Sequence, residues 1–227
     1  LYSHPEYKLT GSIFKLANHL ISLRCKGFPV AYLLGKKDFW NFELDVNSSV
    51  LIPRPETELL VEFVLKLDLP KQIDIIDLGT GTGAIALALA LERKEWNVTA
   101  VDLYDDALEV ARKNFIKIFG EKSCPIRLIK SDWLSNLSDH YFDVIISNPP
   151  YINSIDDCLE DGDVSFEPKN ALVSSLNGLG DIISIVEQSR SCLKNNGYLI
   201  IEHGFDQSKE VSEIFISNNF FNVNCYK

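Results

Sequence analysis

Asn148-Pro149-Pro150-Tyr151 is the segment of this 227-residue chain best suited, by residue type, to hold a reacting group. Two prolines remove two backbone donors and fix φ, leaving a stiff turn with bare carbonyls. Asn148 adds an amide with both an acceptor and a donor, and Tyr151 adds a flat aromatic face. Rigid acceptors beside a stacking ring suit a planar –NH2 group, as found on adenine, cytosine and the glutamine or asparagine side chain. An isolated Asn-Pro pair after a strand reads as an ordinary loop, so the remaining segments have to decide.

A glycine loop brings a second chemistry. Asp77-Leu78-Gly79-Thr80-Gly81-Thr82-Gly83-Ala84 follows one apolar run and opens another. Gly81 and Gly83 there let a ligand approach the backbone, and a helix N-terminus offers free N–H donors. Gly79, Gly81 and Ala84 also satisfy the dinucleotide fingerprint. Asp77 argues against that reading, because a carboxylate repels a pyrophosphate and attracts an ammonium. S-adenosylmethionine carries an ammonium and a sulfonium where NAD carries two phosphates. Asp102 ends the next strand-like run, where a carboxylate can accept both ribose hydroxyls; NAD sites use an acid there too, so it indicates a nucleoside without choosing between them. Ser131-Asp132-Trp133 suits an adenine pocket, with Trp133 to stack and Asp132 near the exocyclic amine, although Trp133 alone reads equally as core packing.

Such groups converge only if a frame brings them to one edge. From residue 72, strand patterns over 73–78, 98–103, 126–130, 144–147 and 198–202 alternate with helical patterns over 84–93, 106–119, 179–193 and 207–217. That order predicts an α/β fold with a mainly parallel, doubly wound sheet. The motifs then fall at strand C-termini, where open α/β sheets place ligands. Upstream, Leu9, Ile13, Leu16, Leu20 and Leu23 sit at helical spacing, with Thr10 or Ser12 as caps and Gly27-Phe28-Pro29 as a stop. Alternation over 39–46 followed by 50–52 predicts a β-hairpin joined through Asn47-Ser48-Ser49. Pro53-Arg54-Pro55 ends it, and an amphipathic helix is expected over 56–67. The stretch 153–177 is long and irregular, which usually marks a functional loop, and 222–227 reads as the start of a strand.

Composition excludes several classes. A net charge of −10 disfavours a broad phosphate-binding surface, so no direct nucleic-acid partner is expected. The five cysteines are scattered and form no Cys-x-x-Cys or Cys/His cluster, so neither a disulfide framework nor a metal site is expected. No apolar run approaches a membrane span and no signal-peptide pattern is present; a cytoplasmic monomer is expected.

Taken together, the segments resemble the HemK-like protein-glutamine N5-methyltransferases that modify peptide chain release factors. The resemblance covers nearly the whole chain. It is carried by Leu51-Ile52-Pro53-Arg54-Pro55-Glu56-Thr57-Glu58, Gly79-Thr80-Gly81-Thr82-Gly83, Ser131-Asp132-Trp133, Ser147-Asn148-Pro149-Pro150-Tyr151-Ile152, Gly162 to Pro168, and Glu202-His203-Gly204. The Asn-Pro-Pro-Tyr turn alone is shared with adenine-N6 nucleic-acid methyltransferases, and a sister family acts on a ribosomal protein. The Ile-Pro-Arg-Pro-Glu-Thr-Glu run is the more specific sign.

The resemblance implies a Rossmann-like class I methyltransferase fold. It divides the chain into the remnant of an N-terminal helical recognition domain (1–35), a β-hairpin linker (36–55) and a methyltransferase domain lacking its final strand (56–227). It implies S-adenosyl-L-methionine as cofactor, S-adenosyl-L-homocysteine as product, and the glutamine of a release factor Gly-Gly-Gln loop as substrate. Gly79, Thr80, Gly81, Thr82, Gly83, Asp102, Trp133 and Asn148 are the implied cofactor contacts. Asn148, Pro149, Pro150 and Tyr151 are the implied substrate contacts. An amide nitrogen is a poor nucleophile, so positioning is the chemical problem. The side-chain oxygen of Asn148 and the carbonyl of Pro149 are expected to accept the two substrate N–H groups, which makes them the expected catalytic pair. No general base is evident. Arg54 and Glu56 read as bordering the cofactor pocket, as orienting the helical appendage or equally as a structural ion pair, Glu167 as shaping the substrate mouth or as part of a turn, and His203 as structural.

Overall fold

The computed structural model describes residues 10–137 and 141–226. Helices α1 (Gly11–Cys25) and α2 (Val30–Leu34) lead into a hairpin of β1 (Lys36–Phe39) and β2 (Phe42–Asp45). A 3-10 turn (Pro55–Thr57) opens α3 (Glu58–Lys66). Then come β3 (Asp74–Leu78), α4 (Ala84–Glu92), β4 (Asn97–Asp102), α5 (Asp105–Phe119), β5 (Arg127–Lys130) and β6 (Phe142–Ser147). A two-residue pair, β7 (Ile152–Asn153) with β8 (Val173–Ser174), brackets three 3-10 turns within the segment expected to be irregular. A short turn of helix, α6 (Ser175–Gly178), precedes α7 (Gly180–Cys192), β9 (Leu193–Ile201) and α8 (Ser208–Ser217).

Strand order in the main sheet is β5-β4-β3-β6-β9, every pairing parallel. The predicted doubly wound α/β sheet is therefore present. The chain runs outward from β3 through β4 to β5, then returns to place β6 on the other side of β3. This reversal leaves a crevice beyond the C-terminal ends of β3 and β6, the position at which such sheets hold ligands. The glycine loop follows β3 and the Asn148 turn follows β6, so the topology brings the two motifs together.

Strand side chains alternate between two apolar layers. Ile75, Ala100, Val144 and Ile146 pack with α3, α4 and α5, whereas Ile76, Leu78, Val101 and Ile145 pack with Leu134, Ile185 and Cys192 on the opposite face. Helix α4 is apolar around its whole circumference, and Ala84 to Ala90 are all buried. Such a helix needs cover on every side. The sheet provides one cover, and Phe39, Leu44, Val46 and Val50 from the hairpin segment join the same layer.

The hairpin differs from the alternation pattern. Residues 39–46 are not one strand: the chain reverses at Trp40-Asn41, and 50–52 form no strand. Trp40 takes φ of 54°. Its backbone N–H donates to Glu58 Oε1 at 2.7 Å and its indole N–H to Glu92 Oε1 at 2.8 Å. Those partners lie far along the chain, so local alternation carried no sign of the turn. Of residues 222–227, which read as a starting strand, 222–226 are irregular and Lys227 lies outside the described residues. Helix α1 forms over the described part of its predicted spacing, Leu9 lying outside the described residues; Thr10 stands at its N-cap without a side-chain hydrogen bond, and Ile13, Phe14, Leu16 and Ile21 are exposed. Among the described residues, no helix is long and apolar enough to cross a membrane, and no group of three or more His, Cys, Asp or Glu could hold a metal ion.

Candidate active site

A cleft of about 1050 Å³, its open mouth included, lies over the C-terminal ends of β3, β4 and β6. Gly79, Thr80, Gly81, Thr82, Asp102, Trp133, Asn148 and Pro150 line it, together with Arg54 and Thr57. The structure thus brings most of the predicted contacts to one cavity. Gly83, Pro149 and Tyr151 do not line it, and each has a different placement.

The three loop glycines do three different jobs. A Cβ on Gly79 would meet the Trp133 ring at 3.1 Å, so Gly79 lets that ring close over the loop. A Cβ on Gly81 would meet nothing nearer than Gly79 O at 4.0 Å. Gly81 lines the cleft, so its bareness leaves ligand space. Gly83 caps α4 at φ 83°, and a Cβ there would come within 2.3 Å of Phe115 Cε1. It admits Phe115, not a ligand.

Asp77 is also placed differently from expectation. It is buried behind the loop, where its Oδ2 accepts from the Thr80 hydroxyl at 2.6 Å. It braces the loop and does not line the cleft. Burial pushes its pKa up to about 7, against the pull of the Thr80 hydrogen bond. Asp102 does line the cleft. Its Oδ2 accepts the Gly81 N–H at 2.9 Å and its Oδ1 the Tyr104 N–H at 3.1 Å. Burial raises its pKa, while the Tyr104 and Gly81 N–H groups oppose the rise. Each carboxylate oxygen keeps lone-pair capacity for a further donor such as a ribose hydroxyl.

The lining also speaks to the kind of nucleoside. Asp102, Asp132 and Asp181 contribute carboxylates, while Arg54 is the cation in the same lining. Its guanidinium is paired with Glu167, whose side chain is fully buried and whose Oε2 also accepts the Ile52 N–H at 3.0 Å. An acid-rich cleft whose guanidinium is already paired fits a cationic ligand and disfavours a pyrophosphate. The residues present therefore fit S-adenosylmethionine. Both readings of Arg54 hold at once: it borders the pocket and it forms a structural pair that ties residue 167 to the Pro53-Arg54 segment.

At the other end of the cleft the Asn148 turn is held from behind. Asn148 Nδ2 donates to Thr57 Oγ1 at 2.9 Å, and the Thr57 hydroxyl donates to Glu202 Oε2 at 2.9 Å. Tyr151 OH donates to Glu202 Oε1 at 3.2 Å. Burial raises the Glu202 pKa, opposed by the hydrogen bonds from Thr57 and Tyr151; burial and the Glu202 charge raise that of Tyr151. Pro149 is buried within the turn. Ser147 anchors the strand end by donating its hydroxyl to Leu78 O at 2.8 Å.

Sequence reading missed three supporting residues. Thr57 has no signal of its own within Leu51 to Glu58, nor has Glu202 within Glu202-His203-Gly204. Asn114, fully buried on α5, donates to Thr82 O at 2.9 Å and Asp45 O at 3.0 Å and accepts the Asp45 N–H at 2.7 Å. It ties the hairpin to the glycine loop. The only signal for it was a polar residue on the otherwise apolar face of an amphipathic helix.

Residues 54–160 match the family model described as the methyltransferase small domain. The chain is 43% identical over 223 residues to a release factor glutamine methyltransferase of Shewanella oneidensis, an alignment covering 98% of this chain and 77% of that protein. It is 44% identical over 219 residues to the Escherichia coli (strain K12) protein of the same name, covering 96% and 78% respectively. Among solved structures, a ribosomal protein L11 methylase from Lactobacillus delbrueckii subsp. bulgaricus shares 81% of this chain and 78% of its own at a TM-score of 0.58. At 19% identity, that likeness concerns the fold alone. Identity above two-fifths across almost the whole chain decides the matter: this protein belongs to the release factor glutamine methyltransferase family.

Proposed function

We propose that this protein transfers a methyl group from S-adenosyl-L-methionine to the side-chain amide nitrogen of a glutamine in a peptide chain release factor, within a Gly-Gly-Gln loop. One observation carries the reading: Asn148 and Pro150 line the same cleft as Asp102 and the glycine loop. An amide-binding turn and a nucleoside site therefore share one space.

The cofactor, when bound, supplies an electrophilic methyl group. Gly79 to Thr82 and Asp102 hold it, with Trp133 as the stacking surface. The work of the protein's own residues is to orient a weak nucleophile. Because Thr57 engages Asn148 Nδ2, Asn148 Oδ1 is the atom left to accept one substrate N–H. The carbonyl of Pro149 accepts the other, and the two bonds fix the plane of the substrate amide. Prolines on both sides of that carbonyl keep the acceptors from rotating away. Acceptors set in advance where positive charge develops on nitrogen lower the barrier without reorganising. Tyr151, its hydroxyl anchored on Glu202, keeps the turn in shape from behind.

The test is methyl transfer from labelled S-adenosylmethionine to purified release factor, compared with ribosomal protein and DNA. Label on the release factor alone is expected. Label on DNA with none on the release factor would overturn the reading. Asn148→Ala is expected to remove turnover while leaving S-adenosylhomocysteine affinity within about threefold, since the lost acceptor serves the substrate and not the nucleoside.

A further inference from the structure

We propose that Glu202 and Thr57 form a polarity relay that decides which end of the Asn148 amide faces the substrate; this rests on Asn148 acting as the acceptor of a substrate N–H. The two ends of an asparagine amide are nearly the same size, so packing cannot choose between them. Something with a fixed hydrogen-bonding sense must do so. A carboxylate has that property, because when ionised it only accepts.

The relay runs from the sheet edge outward. Glu202 directly follows β9, and its N–H donates to Ser147 O at 3.0 Å, so it stands beside the residue that precedes Asn148. Its Oε1 accepts from Tyr151 and its Oε2 from Thr57, and the Asn148 side chain also hydrogen-bonds the same carboxylate, so Glu202 acts on that amide both directly and through Thr57. With both oxygens engaged, the carboxylate has no freedom to turn. Thr57 has one hydroxyl proton, and Glu202 takes it. The oxygen of Thr57, a buried residue, is then left only as an acceptor. Asn148 must therefore present its NH2 to Thr57, as it does at 2.9 Å. The consequence is that Oδ1 points the other way, toward the cleft.

The relay also gives a role to an acid in a buried place where it costs desolvation. Glutamine has the same shape but a donating end. In Glu202→Gln the new NH2 can donate to Thr57, which then turns its proton to Asn148 and lets the amide flip. A donor would face the substrate NH2, and the turn would repel what it is built to hold. Glu202 and Thr57 are positioning residues in this scheme and need not touch the substrate.

The test uses the full chain, purified release factor, and S-adenosylhomocysteine as the binding probe. Glu202→Gln and Thr57→Val are each expected to lower kcat about 100-fold, the scale of one misplaced catalytic hydrogen bond, while the S-adenosylhomocysteine Kd stays within about twofold. Thr57→Ser keeps the hydroxyl and is expected to recover most of what Thr57→Val loses. A Glu202→Gln variant with near-normal kcat overturns the relay, as does a kcat loss matched by an equal loss of S-adenosylhomocysteine binding. If the wild-type protein transfers no methyl group to release factor, the substrate reading fails; the relay is then judged from the Asn148 side-chain amide resonances, assigned with Asn148→Asp. One sharp pair in wild type that shifts or doubles in Glu202→Gln supports the relay, and an unchanged pair overturns it.

Discussion

Gly83→Ala separates the two uses of glycine in the loop after β3. Gly83 sits at φ 83°, and a Cβ there would lie 2.3 Å from Phe115 Cε1 and 2.9 Å from Cζ. The left-handed backbone alone costs an alanine about 1–2 kcal/mol. Phe115 is 3% exposed and packed among the α4 and α5 residues, so its ring has nowhere to go. Overpacking of that kind adds about 1–3 kcal/mol. The sum is about 3 kcal/mol, which for a chain of this size lowers Tm by about 6–12 °C. Gly81→Ala is the control. Its φ of 53° carries a similar backbone cost, but its Cβ would meet only Gly79 O at 4.0 Å. It is expected to lose about 1–2 kcal/mol of stability and most of its S-adenosylhomocysteine binding. Urea unfolding without cofactor gives the stabilities, and calorimetric titration gives the affinities. Repeating Gly83→Ala in a Phe115→Leu background isolates the steric share, because the smaller side chain relieves the clash and leaves the backbone cost. Equal destabilisation by the two glycine variants, or no coupling between positions 83 and 115, would refute the assignment.

Three further outcomes follow from the same geometry. Asp102→Ala removes a charged acceptor from the cleft and strands the Gly81 and Tyr104 N–H groups; S-adenosylhomocysteine affinity is expected to fall about 10- to 100-fold, and a Kd equal to wild type in titration calorimetry would contradict this. Burial raises Asp77 to about 7 in the folded chain, whereas an unfolded aspartate titrates near about 4, so the folded state holds an extra proton between those values. The Asp77 contribution is thus complete below about pH 4 and is lost as pH rises through about 7; the stability difference between wild type and Asp77→Asn, followed by urea titration, is expected to move in wild type's disfavour across that window, and a flat difference would exclude it. Glu167→Ala leaves the Ile52 N–H without its partner and frees Arg54, which is one-third exposed and recovers hydration; a loss of about 2–3 kcal/mol in chemical unfolding is expected, against which a change below about 0.5 kcal/mol would count.

The sheet was legible because its determinants are local. Apolar runs of strand length alternate with helical periods, and parallel connection rules leave few topologies for that order. The glycine loop and Asn148 turn were legible for the same reason, since glycine and proline state their backbone demands in the sequence. What was not legible depends on partners far away in the chain. Trp40 turns because Glu58 and Glu92 hold it, and Gly83 is bare because Phe115 needs the space. Asp77 read as a ligand group from its spacing to Gly79, but β3 alternation points it into the core side of the sheet, where its Oδ2 accepts from Thr80 and its Oδ1 is buried.

The arrangement behind Asn148 also decides where a proton does not go. Glu202 is the carboxylate joined through hydrogen bonds to the amide-binding turn, which makes it the obvious candidate for a general base. Its geometry argues against that role. Both oxygens already accept hydrogen bonds, from Thr57 and Tyr151, and the side chain stands behind those residues instead of lining the cleft. A base must reach the proton it removes, directly or through one water. An acid that instead sets the sense of a hydrogen-bond chain needs only to stay ionised and stay still. The raised pKa fits neither role better than the other, since burial raises it in both; its place behind Thr57 and Tyr151, outside the cleft lining, is what separates them. The substrate amide nitrogen is acidic once it carries an additional alkyl group and positive charge, so its proton can pass to solvent at the open mouth of the cleft without a dedicated base. On the proposed function, catalysis by this turn is a matter of orientation, and the buried carboxylate contributes by fixing direction.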